Sequence, residues 1–260
     1  KPSSAASDVY KRQSQGWAVA DAITDTERLR QQAVGELKHV RHTWMLGFSM
    51  GGAVTIGSLE RFPQHYAGGV SLCGANLGGE QIATDLLTTL VAFDYFFPKA
   101  DGLPAAGLVA REAAAQPQGE LYQGIANALQ RDPSHAAVLA RRLQVSPDAV
   151  AGTISLHALV LHELATRSGG MPVGNLGVVY SGFGDDAAFN AGVQRIDPVP
   201  AAQAHVRNSL AITGALKRPL VIQFNHNDPT IVPHMQTAYP QLAARAGACL
   251  LYTSPSPRDS

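Results

Sequence analysis

The sequence predicts an α/β fold, in which a mainly parallel sheet is interrupted by a mostly helical insertion. Short apolar runs at 43–46, 68–74 and 220–224 have the length and the glycine or polar flanks of buried strands. Helical spacing alternates with the first two runs, which favours parallel pairing. Residues 76–215 read as helices punctuated by proline and glycine, and this length is too great for a loop without structure of its own.

The composition of the 260-residue chain indicates a folded domain without a polyanionic partner. Hydrophobic residues make up 45% and charged residues 15%, which is enough apolar material for a sizeable core. Twenty Lys and Arg balance twenty Asp and Glu, so no net charge attracts nucleic acid or an anionic membrane. No apolar run reaches the roughly 18 to 20 residues of a membrane span. We therefore expect a small molecule or a neutral polymer as partner, no nucleic acid and no membrane span.

Both ends of the chain resemble translated sequencing-adapter read-through, in "SSAASDVYKRQ" and "CLLYTSPSPRDS". We expect residues 1–13 and 249–260 to be artefactual or disordered tails that carry no site. Because residue 1 is not methionine, we expect the native start to lie upstream, and the compartment stays open, export included. Cys73 and Cys249 follow no metal-ligand spacing and no pair of histidines shows a metal-binding pattern, so no metal is expected. We expect no cofactor either.

The first elements alternate between helix and strand. Residues 17–38 form an amphipathic helix by their apolar spacing, and the positions expected to face inward are Val19, Ile23, Leu29, Val34 and Leu37. The run 43–46 ends at Gly47 and predicts a buried strand. The stretch "AVTIGSLERFP" predicts a helix that ends before Pro63, with Ala53, Ile56 and Leu59 on its inner face. The second strand follows at 68–74.

Two helix starts are marked by proline inside the insertion. Asp132-Pro133 and Ser146-Pro147 each place a capping side chain before a proline at the first helical position. The second of these helices ends at Ser168-Gly169-Gly170, and a loop rich in Gly and Asn follows. The sheet resumes at 220–224. We therefore divide the chain into a partial core at 14–75 and 216–248 and a helical cap at 76–215.

The segment Gly47-Phe48-Ser49-Met50-Gly51 fits G-x-S-x-G, the nucleophile elbow, with a strand before it and a helix after it. In such a strained turn the flanking glycines avoid collisions, and the serine hydroxyl is exposed at the carboxyl edge of the sheet. The Met50 amide is then directed at a developing oxyanion, close to the positive end of the next helix. The alternative is a glycine-rich connection in which Ser49 only caps a helix.

The stretches "GFSMGGAVTI" and "FNHNDPTIVP" resemble the α/β-hydrolase family, in its elbow and in its acid loop. The resemblance implies the chain order Ser, acid, His, with Ser49 as nucleophile and Asp228 as acid. Residues 73–76, the competing position for the acid, contain no carboxylate. The alternative for Asp228 is a local turn before Pro229.

The resemblance also implies a histidine base after the acid, and beyond Asp228 the sequence contains only His234. His226 and His234 flank the acid too closely to act as this base, so we expect His226 to point off the strand and His234 to cap the following helix. The other histidines are expected on the surface or in helix packing: His39, His42, His65, His135, His157, His162 and His205. We expect an internal fragment of a longer enzyme, without its catalytic histidine.

The expected activity is serine-dependent hydrolysis of a small-molecule ester or amide, foremost of a carboxylic ester, through an acyl-enzyme at Ser49. A peptidase or an acyltransferase on the same fold stays open, as does a non-catalytic ligand-binding protein. Asp185 and Asp186 are expected to start a helix rather than to bind a cation. One aromatic cluster lines either an acyl pocket or the core of the cap: Phe93, Tyr95, Phe96 and Phe97.

Overall fold

The computed structural model describes residues 17–209, 211–225, 228, 230–249 and 251–255. The first part of the chain builds one edge of the fold from four elements: α1 (Val19–Glu36), β1 (Trp44–Phe48), α2 (Met50–Arg61) and β2 (Gly68–Leu72). The inner face expected for α2 is confirmed, because Ala53, Ile56 and Leu59 are fully buried. The first residues of the chain, 1–13, lie outside the described ranges.

Helix α1 forms as expected, but only two of the five positions predicted to face inward are buried. Val19 and Ile23 are buried against α2, where Ile23 lies next to Gly57. Leu29 and Leu37 are 57% and 61% exposed, and Val34 is also exposed. The apolar spacing therefore predicts the helix correctly, but it predicts more buried positions than helix α2 covers.

The insertion is helical from α3 to α9, as expected. Its helices are α3 (Gly79–Phe96), α4 (Arg111–Ala115), α5 (Gln118–Arg131), α6 (Pro133–Leu143), α7 (Val150–Ser168), α8 (Asp186–Gly192) and α9 (Pro200–Ser209). Asp132 caps α6, since its carboxylate accepts the His135 amide at 3.1 Å. Ser146 makes no such bond and precedes a 3₁₀ turn, Pro147–Ala149, that leads into α7, so its capping role was predicted wrongly.

Helix α7 forms the centre of the insertion. Ile154, Ala158 and Leu161 are fully buried, and the helix packs against α3 and α5. It ends at Gly169, whose positive φ of 81° allows the chain to leave the helix. By length and apolar composition Pro147–Ser168 could cross a membrane, and no second helix in the described ranges meets that test. Because 56% of this stretch is buried by the protein itself, its apolar surface is used in packing.

The last elements described are β3 (Leu220–Phe224), α10 (Pro233–Arg245) and β4 (Leu251–Pro255). The sheet has four parallel strands in the order β1-β2-β3-β4. Strand β2 pairs directly with β3, so residues on either side of the helical insertion belong to one sheet, as expected. The fold class predicted from the sequence is confirmed.

Two expectations about the strands differ from the structure. Residues 249–260 were expected to be an artefactual or disordered tail, but within them residues 251–255 form β4, which pairs with β3 and satisfies the hydrogen-bonding edge that β3 would otherwise leave open. Strand β1 lies at the other edge of the sheet and is buried on one face only. Trp44, Leu46 and Phe48 are each more than 60% exposed on the opposite face.

Candidate active site

Ser49 has a strained backbone conformation at the end of β1. Its φ of 55° and ψ of −124° lie outside the regions that residues with a side chain normally occupy. The end of β2 holds this turn, because the Ser49 amide donates to Leu72 O at 3.1 Å and Ser49 O accepts the Ala75 amide at 3.3 Å. The strand, the strained serine and helix α2 follow one another without an intervening residue. This is the geometry that the nucleophile-elbow motif requires.

The glycines around Ser49 have different roles. A Cβ on Gly47 would lie 1.8 Å from Gly51 O, so only glycine fits at position 47, as expected. Gly52 allows α2 to approach the segment that follows β2, since its Cβ would lie 2.6 Å from Gly74 Cα. A Cβ on Gly51 would meet no atom within 4 Å, so the collision expected at position 51 is absent. The steric requirement therefore rests on Gly47 and Gly52.

The Ser49 side chain does not cap α2. Its hydroxyl makes no cap hydrogen bond, has no other partner among the described residues and is half-buried. The Met50 amide, at the first turn of α2, has no acceptor in the described part of the chain. A hydroxyl and an amide N–H without partners therefore lie at the positive end of a helix, where negative charge is stabilised.

Asp228 lies in the loop after β3 and is half-buried. One carboxylate oxygen, Oδ1, accepts the amides of Thr230 and Ile231, both at 2.9 Å, which is the local turn named above as the alternative. The other oxygen, Oδ2, has no hydrogen bond within the described ranges. Asp228 thus stabilises its own loop and keeps one acceptor available.

The sheet register relates Ser49 to the Asp228 loop. Phe48 is paired with Leu72, and Leu72 is paired with Gln223. Two strand spacings of about 5 Å each place the ends of β1 and β3 about 10 Å apart. Ser49 and Asp228 follow these ends on the same edge of the sheet, with β2 between them.

Two buried amide side chains hold this edge together, and sequence reasoning missed both. Asn76 accepts the Ser71 hydroxyl at 2.8 Å and donates to Gln236 O at 2.7 Å. The Gln236 side chain accepts the Asn225 amide and donates to Ile231 O, so it spans the loop that carries Asp228. Both residues are almost fully buried. They fix the start of α10 and the acid loop relative to β2.

The histidines occupy the positions expected of packing and surface residues, with one correction. His234 does not cap α10; its Nε2 lies 2.8 Å from Asp85 Oδ2 and connects α10 to the insertion. His157 is buried in α7 beside Thr89, and burial lowers its pKa to about 4. His162 is also buried, and its Nε2 lies 2.8 Å from Leu108 O. His226 lies outside the described residues.

The aromatic cluster of α3 belongs to the packing of the insertion. Phe93 and Phe97 are buried, and Phe96 stacks with Phe189. The acidic pair of this region starts α8, as expected: Asp185 accepts the Ala188 amide, and Asp186 accepts the amides of Gly182 and Phe183. Within the described ranges no group of three or more His, Cys, Asp or Glu residues could hold a metal ion.

Comparisons with known proteins give similarity to solved structures only. No protein-family model and no curated protein matches the chain. Esterase E22 is 11% identical with a TM-score of 0.39, over 92% of this chain and 60% of the esterase. A proline iminopeptidase-related protein from Thermus thermophilus is 20% identical with a TM-score of 0.32, over 91% of this chain and 62% of its own. A probable hydrolytic enzyme from Pseudomonas aeruginosa is 13% identical with a TM-score of 0.34, over 95% and 64%.

The chain thus spans about three fifths of the length of these solved structures. Its own architecture joins a parallel sheet, a strained serine between β1 and α2, a helical insertion after β2 and an acidic loop after β3. This is an α/β fold in which the serine turn and the acidic loop follow strands of one parallel sheet.

Proposed function

We propose that the chain is the serine-bearing part of a hydrolase that cleaves carboxylic esters through an acyl-enzyme at Ser49. The observation that carries this proposal is the Ser49 turn. A residue with a side chain is held at φ 55° and ψ −124°, and its hydroxyl has no hydrogen-bond partner in the described part of the chain. Such strain is retained where a reactive group must be presented.

In the proposed reaction, Ser49 Oγ attacks the ester carbonyl and the Met50 amide donates to the oxyanion that forms. The amino-terminal end of α2 adds a favourable field at the same point. The alcohol leaves, and water then releases the acyl group from Ser49. The helical insertion at 76–215 serves as the cap over the sheet edge in this proposal.

Asp228 is the proposed acid, because Oδ2 is available to orient an imidazole while Oδ1 fixes the loop. The resemblance to the family places this imidazole after the acid, and no histidine follows His234 in the 260 residues. His234 itself is engaged by Asp85. In this proposal the base is a histidine supplied from outside these 260 residues. Without a base the serine hydroxyl is a poor nucleophile, so the expected turnover of the chain is low.

Acylation of Ser49 tests the proposal directly. The purified chain is incubated with p-nitrophenyl acetate, with and without imidazole as an external base, and its peptides are analysed by mass spectrometry. We expect imidazole to increase acetylation of the Ser49 peptide and Ser49→Ala to abolish it. The matched control is Ser146→Ala, because Ser146 is exposed and makes no cap hydrogen bond.

The outcomes separate the parts of the proposal. Acetylation that is equal at Ser49 and at Ser146 would contradict a special reactivity of Ser49. Rapid release of p-nitrophenol without imidazole, lost in Ser49→Ala, would support the nucleophile and overturn the assignment of the base to missing sequence. A chain that is never acetylated at Ser49 would leave the non-catalytic alternative as the better explanation.

A further inference from the structure

A cleft with two arginines lies where the helical insertion meets α10, and Ser49 is not among its lining residues. Its volume is about 320 Å³, and it is lined by Arg141, Arg142, Gln144, Gly182 and His234. This volume is at the lower end of the range of small-molecule sites. We call it the arginine cleft.

A smaller cavity lies behind the arginine cleft and shares Arg142 and His234 with it. It has a volume of about 20 Å³, enough for one water molecule, and its polar lining includes Asp85 and His157. His234 therefore borders both the open cleft and the small cavity, where its Nε2 lies 2.8 Å from Asp85 Oδ2.

The two arginines of the cleft form no direct contact with a carboxylate among the described residues. Arg141 and Arg142 are exposed, and neither forms an ion pair in the described ranges. Asp85 is in contact with His234, and Asp186 accepts the backbone amides of Gly182 and Phe183. Two guanidinium groups on adjacent residues therefore face a concave surface without a partner.

The guanidinium of Arg142 is also restricted in position. Its Cζ lies 5.8 Å from the centre of the Phe183 ring, a cation–π contact with a buried aromatic side chain. Arg142 lies in the last turn of helix α6, which ends at Leu143 because Gln144 has a φ of 58°. Arginines near a helix end also stabilise its negative pole. That role does not require a concave surface or a stacked guanidinium, and the arginine cleft has both.

We propose that the arginine cleft binds the oxyanion group of a small acid, either a carboxylate or a phosphate. Guanidinium groups bind both by paired, charge-assisted hydrogen bonds, and Arg142 is the principal donor because its position is restricted. The Nδ1 atom of His234 has no hydrogen bond among the described residues and lies on the same lining. Ser49 does not line this site, and the inference does not depend on the hydrolase proposal.

Isothermal titration calorimetry of the full chain tests this inference at low ionic strength, where screening is weak. Inorganic phosphate, succinate and neutral succinamide are titrated separately, up to about 10 mM, to reach weak affinities. We expect heat of binding from phosphate or succinate and none from succinamide. A response to only one of the two anions identifies the source of the oxyanion.

Variants decide whether the arginine cleft is the site. Arg142→Gln is expected to weaken binding at least tenfold, Arg141→Gln less, and Arg142→Lys to an intermediate degree because lysine lacks the paired donors. The control is Arg111→Gln, which removes the same charge from an exposed arginine outside the cleft. Circular dichroism checks the fold of each variant, and Ser49→Ala is expected to bind as the unchanged chain does.

Two results would overturn the inference. One is the absence of binding by either anion. The other is an equal loss of affinity in Arg111→Gln and in both cleft variants, which would show a general effect of net charge.

Discussion

Replacement of Ser49 by glycine is expected to stabilise the protein while it removes the proposed nucleophile. A side chain held in a sparsely populated backbone region costs about 1–3 kcal/mol. Glycine adopts φ 55° without this cost. Its greater conformational freedom in the unfolded chain, however, destabilises the folded state by about 0.5–1 kcal/mol. The Ser49 hydroxyl has no hydrogen bond among the described residues, so its loss removes no stabilising contact. The net expectation is a gain of about 1 kcal/mol in the free energy of unfolding.

The matched control for this substitution is Ser146→Gly. Ser146 is also a serine before a helical segment without a side-chain cap, but its φ of −65° and ψ of 152° are unstrained. Glycine at position 146 brings only the entropic cost, so we expect a loss of about 0.5–1 kcal/mol. Ser49→Ala keeps a Cβ at the strained position and is expected to leave stability almost unchanged.

Urea denaturation measures these differences, and thermal unfolding checks them. A change of 1 kcal/mol corresponds to a shift in Tm of about 2–4 °C for a chain of this size. Opposite signs for Ser49→Gly and Ser146→Gly would support stored strain at the turn. If Ser49→Gly destabilised the protein as much as Ser146→Gly does, the turn would hold no strain and the argument from its backbone would be refuted.

Three further predictions concern the packing around this site and two buried ionisable groups. Gly52→Ala is expected to lower the free energy of unfolding by about 1–3 kcal/mol, because the new Cβ would lie 2.3 Å from a side-chain oxygen of β2. At Gly51 a Cβ would meet open space, so Gly51→Ala is expected to raise the free energy of unfolding by about 0.5–1 kcal/mol. Urea denaturation measures both changes. Hydrogen bonds from Arg30 lower the pKa of Glu27 from 4.5 to about 2. The Glu27 carboxylate therefore contributes about 3 kcal/mol to the free energy of unfolding above pH 4.5, and this contribution is lost as the pH falls towards 2. In Glu27→Gln the free energy of unfolding should depend less on pH over that range. Burial lowers the pKa of His157 from 6.5 to about 4, so stability is expected to fall as pH drops from 6.5 through 4, and an equally steep fall in His157→Gln would contradict this assignment.

The elements that sequence patterns predicted correctly are those that depend on local signals. Helix α2 is specified by apolar positions one turn apart and by a proline at 63, and α6 begins at its Asp-Pro cap. The Ser49 turn follows from a short motif, because a glycine at 47 is needed wherever the backbone approaches Gly51 O so closely. Spacing and sterics act within a few residues, so a single sequence contains them.

The features that the sequence did not predict depend on residues far apart in the chain. Asn76 reaches α10 across the whole insertion, and Asp85 pairs with His234 over a similar separation. No periodicity marks such partners, since each polar residue alone is equally compatible with the surface. The exposed face of β1 has a related origin. The residues of β1 are apolar throughout, so the sequence predicts a strand that is buried on both faces. Only the three-dimensional arrangement shows which face is covered.

The strained turn at Ser49 also separates the two classes of function that the fold allows. A protein that only binds a ligand between sheet and insertion needs a cavity and contacts, and neither requires a serine at φ 55°. Selection for binding alone would favour glycine at this position, because glycine relieves the strain and keeps the turn. The proposed nucleophilic role accounts for a hydroxyl at this position, beside the Met50 amide that lacks an acceptor within the described ranges. The measured sign of the Ser49→Gly change in stability therefore bears on function as well as on folding.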